Sequence, residues 1–583
     1  MLELVAKYAV DHGITVEPGF TTKEVKWLIK FSKSGAFLGV QELGEAENKG
    51  NKGLSIAYCP EFPSNEMQAG GKAHPLVESL SVVVLMQPKP GDPIPEKDRV
   101  KQEFFVDLLD DLATTLPIAK EAARSLRDAT ILAEVIAAFE KEKAKPTDKA
   151  TIAVDDEWLV SQTQVKEWWR GRRRSSADSD KTNRCLVTGE STEPFKTHPK
   201  IEGLASVGGS PMGSSLVSFD KDAFNSYGFE QSENACISEA SAMQYRAGLN
   251  ELIRQGKKLG SMIVGHWYSG HVPPEEDIPK FLLEPDSSDE ADARQRAIRL
   301  LEAIRCGDRP DLAGCQYYCF SISGAAGRAM LRDWQEGSFE SLVANINKWF
   351  DHLAIVNSSG SAIIRPPKFL AILGCTVRDL DELHPPLVTA LWKAAINGTA
   401  IPLAVISAAL RRSRIDAIEN NFRPDRIGLL KAYLVRNTSQ GEHMSTHLNP
   451  DHPDPAYHAG RLMAVIANIQ EAALGDVNAN VVQRFYPAAS ATPALIFGRL
   501  ARLCQFHLAK LEPGLAKYLD LKQAEIWSQV QDKLPATFSL EQQTLFALGY
   551  YQQLAHDANA RRERSAAKNA NAAIATTTEG AIS

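Results

Sequence analysis

"AGRLMAVIANIQEAAL", residues 459–474, sets Leu462, Val465, Ile466 and Ile469 on one face at spacings of three and four, the period of an amphipathic helix. Segments of the same kind precede it: "PPLVTALWKAAING" (385–398), "PLAVISAALRRSRID" (402–416) and "DRIGLLKAYLVRN" (425–437). Helices that each carry one apolar face must bury it against one another, so the chain from about residue 385 onward is expected to pack helix on helix. Further on, "ATPALIFGRLARLCQFHLAKLE" (491–512) predicts an apolar face of Ile496, Leu500, Leu503, His507 and Leu511, with His507 as a core histidine and Arg499, Arg502 and Lys510 elsewhere. Ser539 and Gln542 stand at capping-box spacing before "TLFALGYYQQL", which predicts another helix start there. The closing "KNANAAIATTTEGAIS" holds few large apolar residues and is expected to fray.

The first third reads differently. "LSVVVLM" (80–86) is a β-branched run expected to form a buried strand, whereas residues 104–142 carry apolar positions at helical spacing. Between the early elements, "GEAENKGNKGLSIAYCPEFPSNEMQAGGKAHP" (44–75) is rich in Gly, Asn and Pro and is expected to be a long loop, of the kind more often functional than idle. The fold class expected is therefore α+β: a mixed N-terminal domain over 1–335, a helical connecting region over 336–455, a helical bundle over 456–560 and a disordered tail over 561–583.

Composition narrows the functional classes. At 583 residues, 44% apolar, 23% charged and a net charge of −7, the chain is an ordinary globular protein without global attraction to a polyanion, so any nucleic-acid surface must be local. The start "MLELVAKYAVDHG" lacks a secretory pattern, no apolar run is long enough to span a bilayer, and eight cysteines form no CxxC pair. A cytoplasmic, reducing setting without membrane attachment is the expectation.

One stretch runs against the net charge. "WWRGRRRSS" (168–176) packs four arginines and two tryptophans into nine positions. Guanidinium groups grip phosphate in two-pronged fashion, and indoles either fill a core or stack on bases. Lys166, Arg170, Arg172, Arg173 and Arg174 form a block that repels itself unless an anion meets it; the bland alternative is a solvated loop over two buried tryptophans.

The glycines and serines of "ASVGGSPMGSSLVSFDKDAFNSYGFEQ" (205–231) can approach an anion, but the GK[ST] ending of an ATP-binding loop is missing and an ordinary turn is the better reading. In "GEHMSTHLNPDHPDPAYH" (441–458), His443 and His447 stand four apart without the HExxH glutamate and ahead of helix-breaking prolines, so a linker is expected rather than a metal site. Cys315 and Cys319 read as core. No hydrolase elbow, kinase set or recognised nuclease motif is present, so the chain is expected not to be an enzyme and to need no cofactor or metal.

Four stretches together resemble one family: "CLVTGE" (185–190), "SSLVSFDKDAFNSYGFEQSENACISEASAMQYRAGLN" (214–250), "AGRLMAVIANIQEAA" (459–473) and "RFYPAASATPALIFGRLARLCQFHLAKLE" (484–512). They are similar to the large subunit of the subtype I-C CRISPR interference complex (Cascade), the Csd-one or Cas-eight-c family. The resemblance implies a non-catalytic subunit that recognises a short protospacer-adjacent motif in target double-stranded DNA, helps open it into an R-loop and recruits a helicase-nuclease. A guide RNA reads the remaining sequence by pairing. It also implies contact with the backbone and guide-processing subunits and with a small subunit, which the C-terminal bundle resembles. Met463 is then a candidate internal start for that small subunit.

Under this resemblance the arginine block is expected to hold DNA phosphate, joined by Arg499 and Arg502, while Asn65, Gln68 and Lys72 in the 44–75 loop are candidates for reading base edges. Two competing classes remain: a metal-dependent nuclease built on residues 443–458, and a stand-alone nucleic-acid-binding protein independent of guide RNA. The identity of the motif is not legible in the sequence.

Overall fold

The computed structural model describes residues 1–583 apart from 15–16, 45–52, 64–65, 68–69, 90–91, 176–181, 220, 284–289, 366, 476, 531–533 and 580–583. The chain divides into two compact units, the first comprising Met1–Ala205, Gly209–Arg254 and Ala326–Ala329, the second Ser206–Gly208, Gln255–Ala325 and Met330–Ser583. Strands concentrate early and helices late, as the α+β expectation requires.

In the first unit, α1 (Leu2–Asp11) precedes β1 (Phe20–Val25), β2 (Trp27–Phe31), β3 (Phe37–Glu42), β4 (Leu54–Pro60) and β5 (Glu78–Ser79). There follow α2 (Leu80–Val83), α3 (Glu96–Ala113), α4 (Ala119–Arg127), α5 (Ala129–Lys141), β6 (Lys149–Val154), β7 (Glu157–Trp158), α6 (Thr163–Ser175), β8 (Asn183–Arg184), β9 (Ser191–Thr192) and α7 (Glu239–Gln255). The main sheet runs β3-β2-β6-β5, with β2 parallel to β6 and antiparallel to β3. Strand β2 reads WLIKF, and its Leu28, Ile29 and Phe31 are wholly enclosed, the near-continuous apolar run expected of a strand covered on both faces. Asp148 fastens the strand start by accepting from Trp27 Nε1 and Lys26 Nζ, each at 3.2 Å.

Two expectations fail here. Residues 80–83 of "LSVVVLM" form the short helix α2, with Leu80, Val82 and Val83 buried; only Glu78 and Ser79 pair with β6. A short apolar run carries no periodicity that separates strand from buried helix, and burial satisfies either. The 44–75 segment is not all loop, because β4 within it pairs antiparallel with β1 through a bulge between Thr21 and Lys23.

The second unit begins with β10 (Lys257–Leu259) and β11 (Met262–Tyr268), then α8 (Ile278–Leu283), α9 (Glu290–Cys306), β12 (Gln316–Ala325) and β13 (Arg328–Ser338), whose strands form a sheet ordered β10-β11-β12-β13. Helices follow: α10 (Phe339–Leu353), α11 (Phe369–Leu373), α12 (Pro385–Asn397), α13 (Leu403–Glu419), α14 (Pro424–Asn437), α15 (Pro455–Leu474), α16 (Val481–Ala489), α17 (Pro493–Leu508), α18 (Pro513–Val530) and α19 (Leu540–Glu579). Their ends carry the expected signals. Proline opens α12, α14, α15, α17 and α18, Gly398 closes α12 at φ +68°, and the Ser539–Gln542 capping box forms with bonds of 3.0 and 3.2 Å. Cys315 and Cys319 are core, as expected.

Helix α15 exceeds its amphipathic reading. Every residue from Ala456 to Ile466 is buried, Met463 included, so the helix is central and not a surface element. Close approach to α19 is made through glycine: a methyl group on Gly460 would lie 2.0 Å from the Phe546 carbonyl oxygen, and one on Gly549 would lie 2.1 Å from that of Tyr457. Along α17 the buried stripe is Pro493, Phe497, Leu500, Cys504 and Leu508, one position round from the face expected. Leu503 is consequently exposed and His507 only half-buried. Helix α19 continues to Glu579, through most of the segment expected to fray; its alanine-rich sequence favours helix.

Candidate nucleic-acid interface

The arginine block belongs to helix α6. At 3.6 residues per turn its residues cannot all face one way, and they divide by chemistry. Trp168 and Trp169 are buried, and their indole N–H groups donate to Asp111 Oδ2 at 3.1 Å and to the Gly19 carbonyl at 2.7 Å. They anchor the helix and offer no face for a base. Arg170 grips Glu17 with two bonds, Nε to Oε1 at 2.5 Å and Nη2 to Oε2 at 2.8 Å. Arg172 pairs with Asp111 and Arg173 with Glu239. The expected self-repelling block is therefore met by acids of the same unit, and the solvated-loop alternative fails too, since the segment is an anchored helix.

These residues border a cleft of about 840 Å³. Its floor is aromatic, Phe62 meeting Trp169 edge-on at 4.8 Å, and Lys72 enters from the turn after β4. The Lys72 ammonium bonds Glu66 at 2.7 Å and lies 5.2 Å from the Phe62 ring centre. Five cations border the cleft, Lys72, Arg170, Arg172, Arg173 and Lys196, against four carboxylates, Glu17, Glu66, Glu193 and Glu239. Arg170, by its hydrogen bonds and its charge, holds the Glu17 carboxyl below the usual range despite partial burial. Lys166 sits over the Tyr58 ring at 4.1 Å. The structure thus brings Lys72, Arg170, Arg172 and Arg173 together. Lys196 joins them unanticipated, because nothing in its local sequence marks it. Asn65 and Gln68 lie outside the described residues, as does the side chain of Arg174.

A charge-balanced cleft with arginines on its rim suits a ligand that trades places with carboxylates, and phosphate oxygens do so readily. Residues 4–557 match the model of the CRISPR-associated protein family Cas_Csd1. The chain belongs to this family. As a Cas_Csd1 protein it is a CRISPR-associated component of Cascade. No curated protein matches the chain.

In the second unit of the Cas_Csd1 chain, Arg499 and Arg502 stand exposed on α17, with the Arg499 guanidinium 5.3 Å from the Phe485 ring centre. Leu495 and Phe506 flank them at 77% and 70% exposure, and positions 495, 499, 502 and 506 recur at helical spacing on one outward stripe. Two adjacent guanidinium groups between exposed apolar side chains, one of them the Phe506 ring, on a solvent-facing stripe have the chemistry that suits a single strand, phosphate to arginine and base to ring.

The 443–458 segment is no linker. His452 and His458 are buried at 2% and 1% exposure; both ring nitrogens of His458 are engaged, whereas His452 bonds through Nδ1 and its Nε2 has no partner among the described residues. His458 Nδ1 accepts from Arg461 at 3.0 Å, which fixes the proton on Nε2, and that group donates to the His452 carbonyl at 2.5 Å. His452 Nδ1 accepts from the Asp454 amide at 3.1 Å and its ring stacks on Tyr457. Burial pushes the His452 imidazole down to about 4. Among the described residues no group of three or more histidine, cysteine or acidic side chains is arranged to hold a metal, and no helix is long and apolar enough to cross a membrane.

Proposed function

We propose that this Cas_Csd1 chain is the non-catalytic large subunit of a type I-C Cascade. In this reading it recognises the protospacer-adjacent motif, helps open target DNA beside a paired guide RNA, and recruits the helicase-nuclease. The observation that carries the reading is the cleft of the first unit, where the Lys72 turn and three arginines of α6 converge. Paired as they are with acids, these cations supply a weak and reversible hold. Solvent-accessible ion pairs such as Arg170–Glu17, Arg172–Asp111 and Lys72–Glu66 contribute only about 0–1 kcal/mol each, so a phosphate can displace those carboxylates at little cost; the more enclosed Arg173–Glu239 pair is held more firmly. A weak hold is what the division of labour needs: the protein samples duplex DNA for a short motif, and guide pairing provides the commitment.

The stripe of α17 supports a second contact, with the strand displaced on opening. Both ring nitrogens of His458 are taken up within the fold, which argues against its serving as a metal ligand in the nuclease alternative.

The test is DNA binding by the chain assembled with guide RNA and its partner subunits, on targets with correct and scrambled flanking motifs. Replacing Arg170, Arg172 and Arg173 by Ala is expected to weaken both targets alike and flatten the salt dependence, because phosphate contacts position without specifying. Unchanged binding with intact assembly would move the DNA to another face. Tight, guide-independent binding by the isolated chain would favour the stand-alone alternative.

A further inference from the structure

Residues 221–231 of the first unit are exposed without interruption, and three of them are aromatic: Phe224 at 40%, Tyr227 at 96% and Phe229 at 39%. The tip is a tight turn in which the Phe229 amide donates to the Ser226 carbonyl at 2.9 Å. Its two central residues, Tyr227 and Gly228, have φ of +54° and +77°. That is the backbone of a type I′ turn, whose first central position favours Asn, Asp or Gly because a larger side chain crowds the left-handed conformation. Tyrosine there is a local disadvantage, and at 96% exposure its side chain gains nothing among the described residues to offset it. A residue held in an unfavourable conformation with its ring in water points to a use outside the fold.

The segment is braced and not loose. Below the turn, Glu230 and Glu233 form a capping box, the Asn234 amide donates to the carbonyls of Phe229 and Gln231 at 3.2 and 3.0 Å, and Ser232 bonds the Lys196 carbonyl at 2.9 Å. A rigid aromatic projection loses little freedom on binding, which is the property of an interface anchor.

The surrounding charge selects the occupant. Along residues 221–234 three carboxylates, Asp222, Glu230 and Glu233, stand against one cation, Lys221, with Lys196 the cation of the neighbouring stretch whose carbonyl Ser232 bonds. This acidic rim repels nucleic-acid phosphate, and the chain's own net charge of −7 disfavours a second copy. We propose that Tyr227, with Phe224 and Phe229 beside it, is the anchor by which the chain docks into an apolar recess with a basic rim on another protein. Subunits that hold guide RNA carry such basic surfaces, so the partner is sought among them, a choice that rests on the Cascade reading.

The experiment titrates the guide-RNA-bound remainder of the complex, assembled without this chain, with wild type, Tyr227→Asn and Tyr227→Asn/Phe224→Ser. Asparagine suits the turn, so Tyr227→Asn is expected to melt at or above the wild-type temperature while associating about tenfold or more weakly. Association equal to wild type overturns the proposal. So does a loss of binding to bare guide RNA with protein association intact, which would make the occupant nucleic acid. Failure of the wild type itself to associate overturns the proposal together with the Cascade reading beneath it.

Discussion

Arg170 clasps Glu17 across 153 positions of chain, Nε to Oε1 at 2.5 Å and Nη2 to Oε2 at 2.8 Å, at the mouth of the first unit's cleft. The arginine side chain is 45% exposed, so the pair adds little to stability, and its principal effect is to compete with any phosphate for the same guanidinium. Glu17→Gln should therefore strengthen DNA binding by the assembled complex on matched and scrambled motifs alike. It should also steepen the logarithmic salt slope by about 0.9, one phosphate contact. Arg170→Ala should do the reverse. Salt titrations of the two variants check the pair.

Deep in the second unit, Arg426 pairs with Asp416 and donates Nε to the Cys375 carbonyl at 2.9 Å, with 1% of the arginine side chain exposed. Arg426→Met should destabilise the unit by about 3–5 kcal/mol, because it leaves a buried carboxylate alone. Asp416→Leu/Arg426→Met should recover most of the loss. Urea midpoints of the single and double variants distinguish a buried charge from a simple packing defect.

Acid should unfold the first unit by way of His198. Burial pushes this imidazole down to about 4; Nδ1 faces the Tyr245 hydroxyl at 2.7 Å, and Nε2 has no partner among the described residues. The unfolded chain, with its imidazole near 6.5, takes up the proton first. The stabilisation is thus complete above about pH 6.5 and falls as the pH drops toward 4, by on the order of 3 kcal/mol. His198→Gln should reduce the difference between urea midpoints measured at pH 7 and pH 4.5.

Helices α15 and α19 meet where Gly460 faces the Phe546 carbonyl, with no room for a Cβ. Gly460→Ala should cost about 1–3 kcal/mol by overpacking despite alanine's better helix propensity. Thermal melts of Gly460→Ala beside Gly475→Ala, a glycine with open space around it but φ of +63°, separate crowding from backbone strain.

The parts of this protein legible in its sequence are those set by neighbours along the chain. Helix starts at Pro385 and Ser539, the closing Gly398 and the helical run beyond residue 385 all follow from local spacing and capping chemistry, whereas the start at Pro455 fell in a stretch whose prolines read as helix breakers. The apolar face of α17 was displaced by one position because Leu500 belongs to both candidate stripes, and only the packing of Phe497 and Cys504 decides between them. The arginines of α6 could be seen, but their partners Glu17, Asp111 and Glu239 lie 153, 61 and 66 positions away, beyond any local pattern. The same distance conceals Lys196 and turns a naked positive block into a balanced cleft. The strain at Tyr227 was invisible for another reason: sequence gives the residue but not the sign of its φ.

Trp169 closes on the Gly19 carbonyl over a separation of 150 residues, and β2 finds its parallel partner only in β6. During synthesis at roughly 5–20 residues per second, the early strands must wait roughly 8–30 s for the helix that locks them. Until β6 leaves the ribosome, just ahead of α6, the apolar β2 has one unmatched edge in a crowded cell. The arginines that follow the tryptophans arrive at the end of that wait, so the charged cleft takes shape only as the nascent domain becomes safe from aggregation.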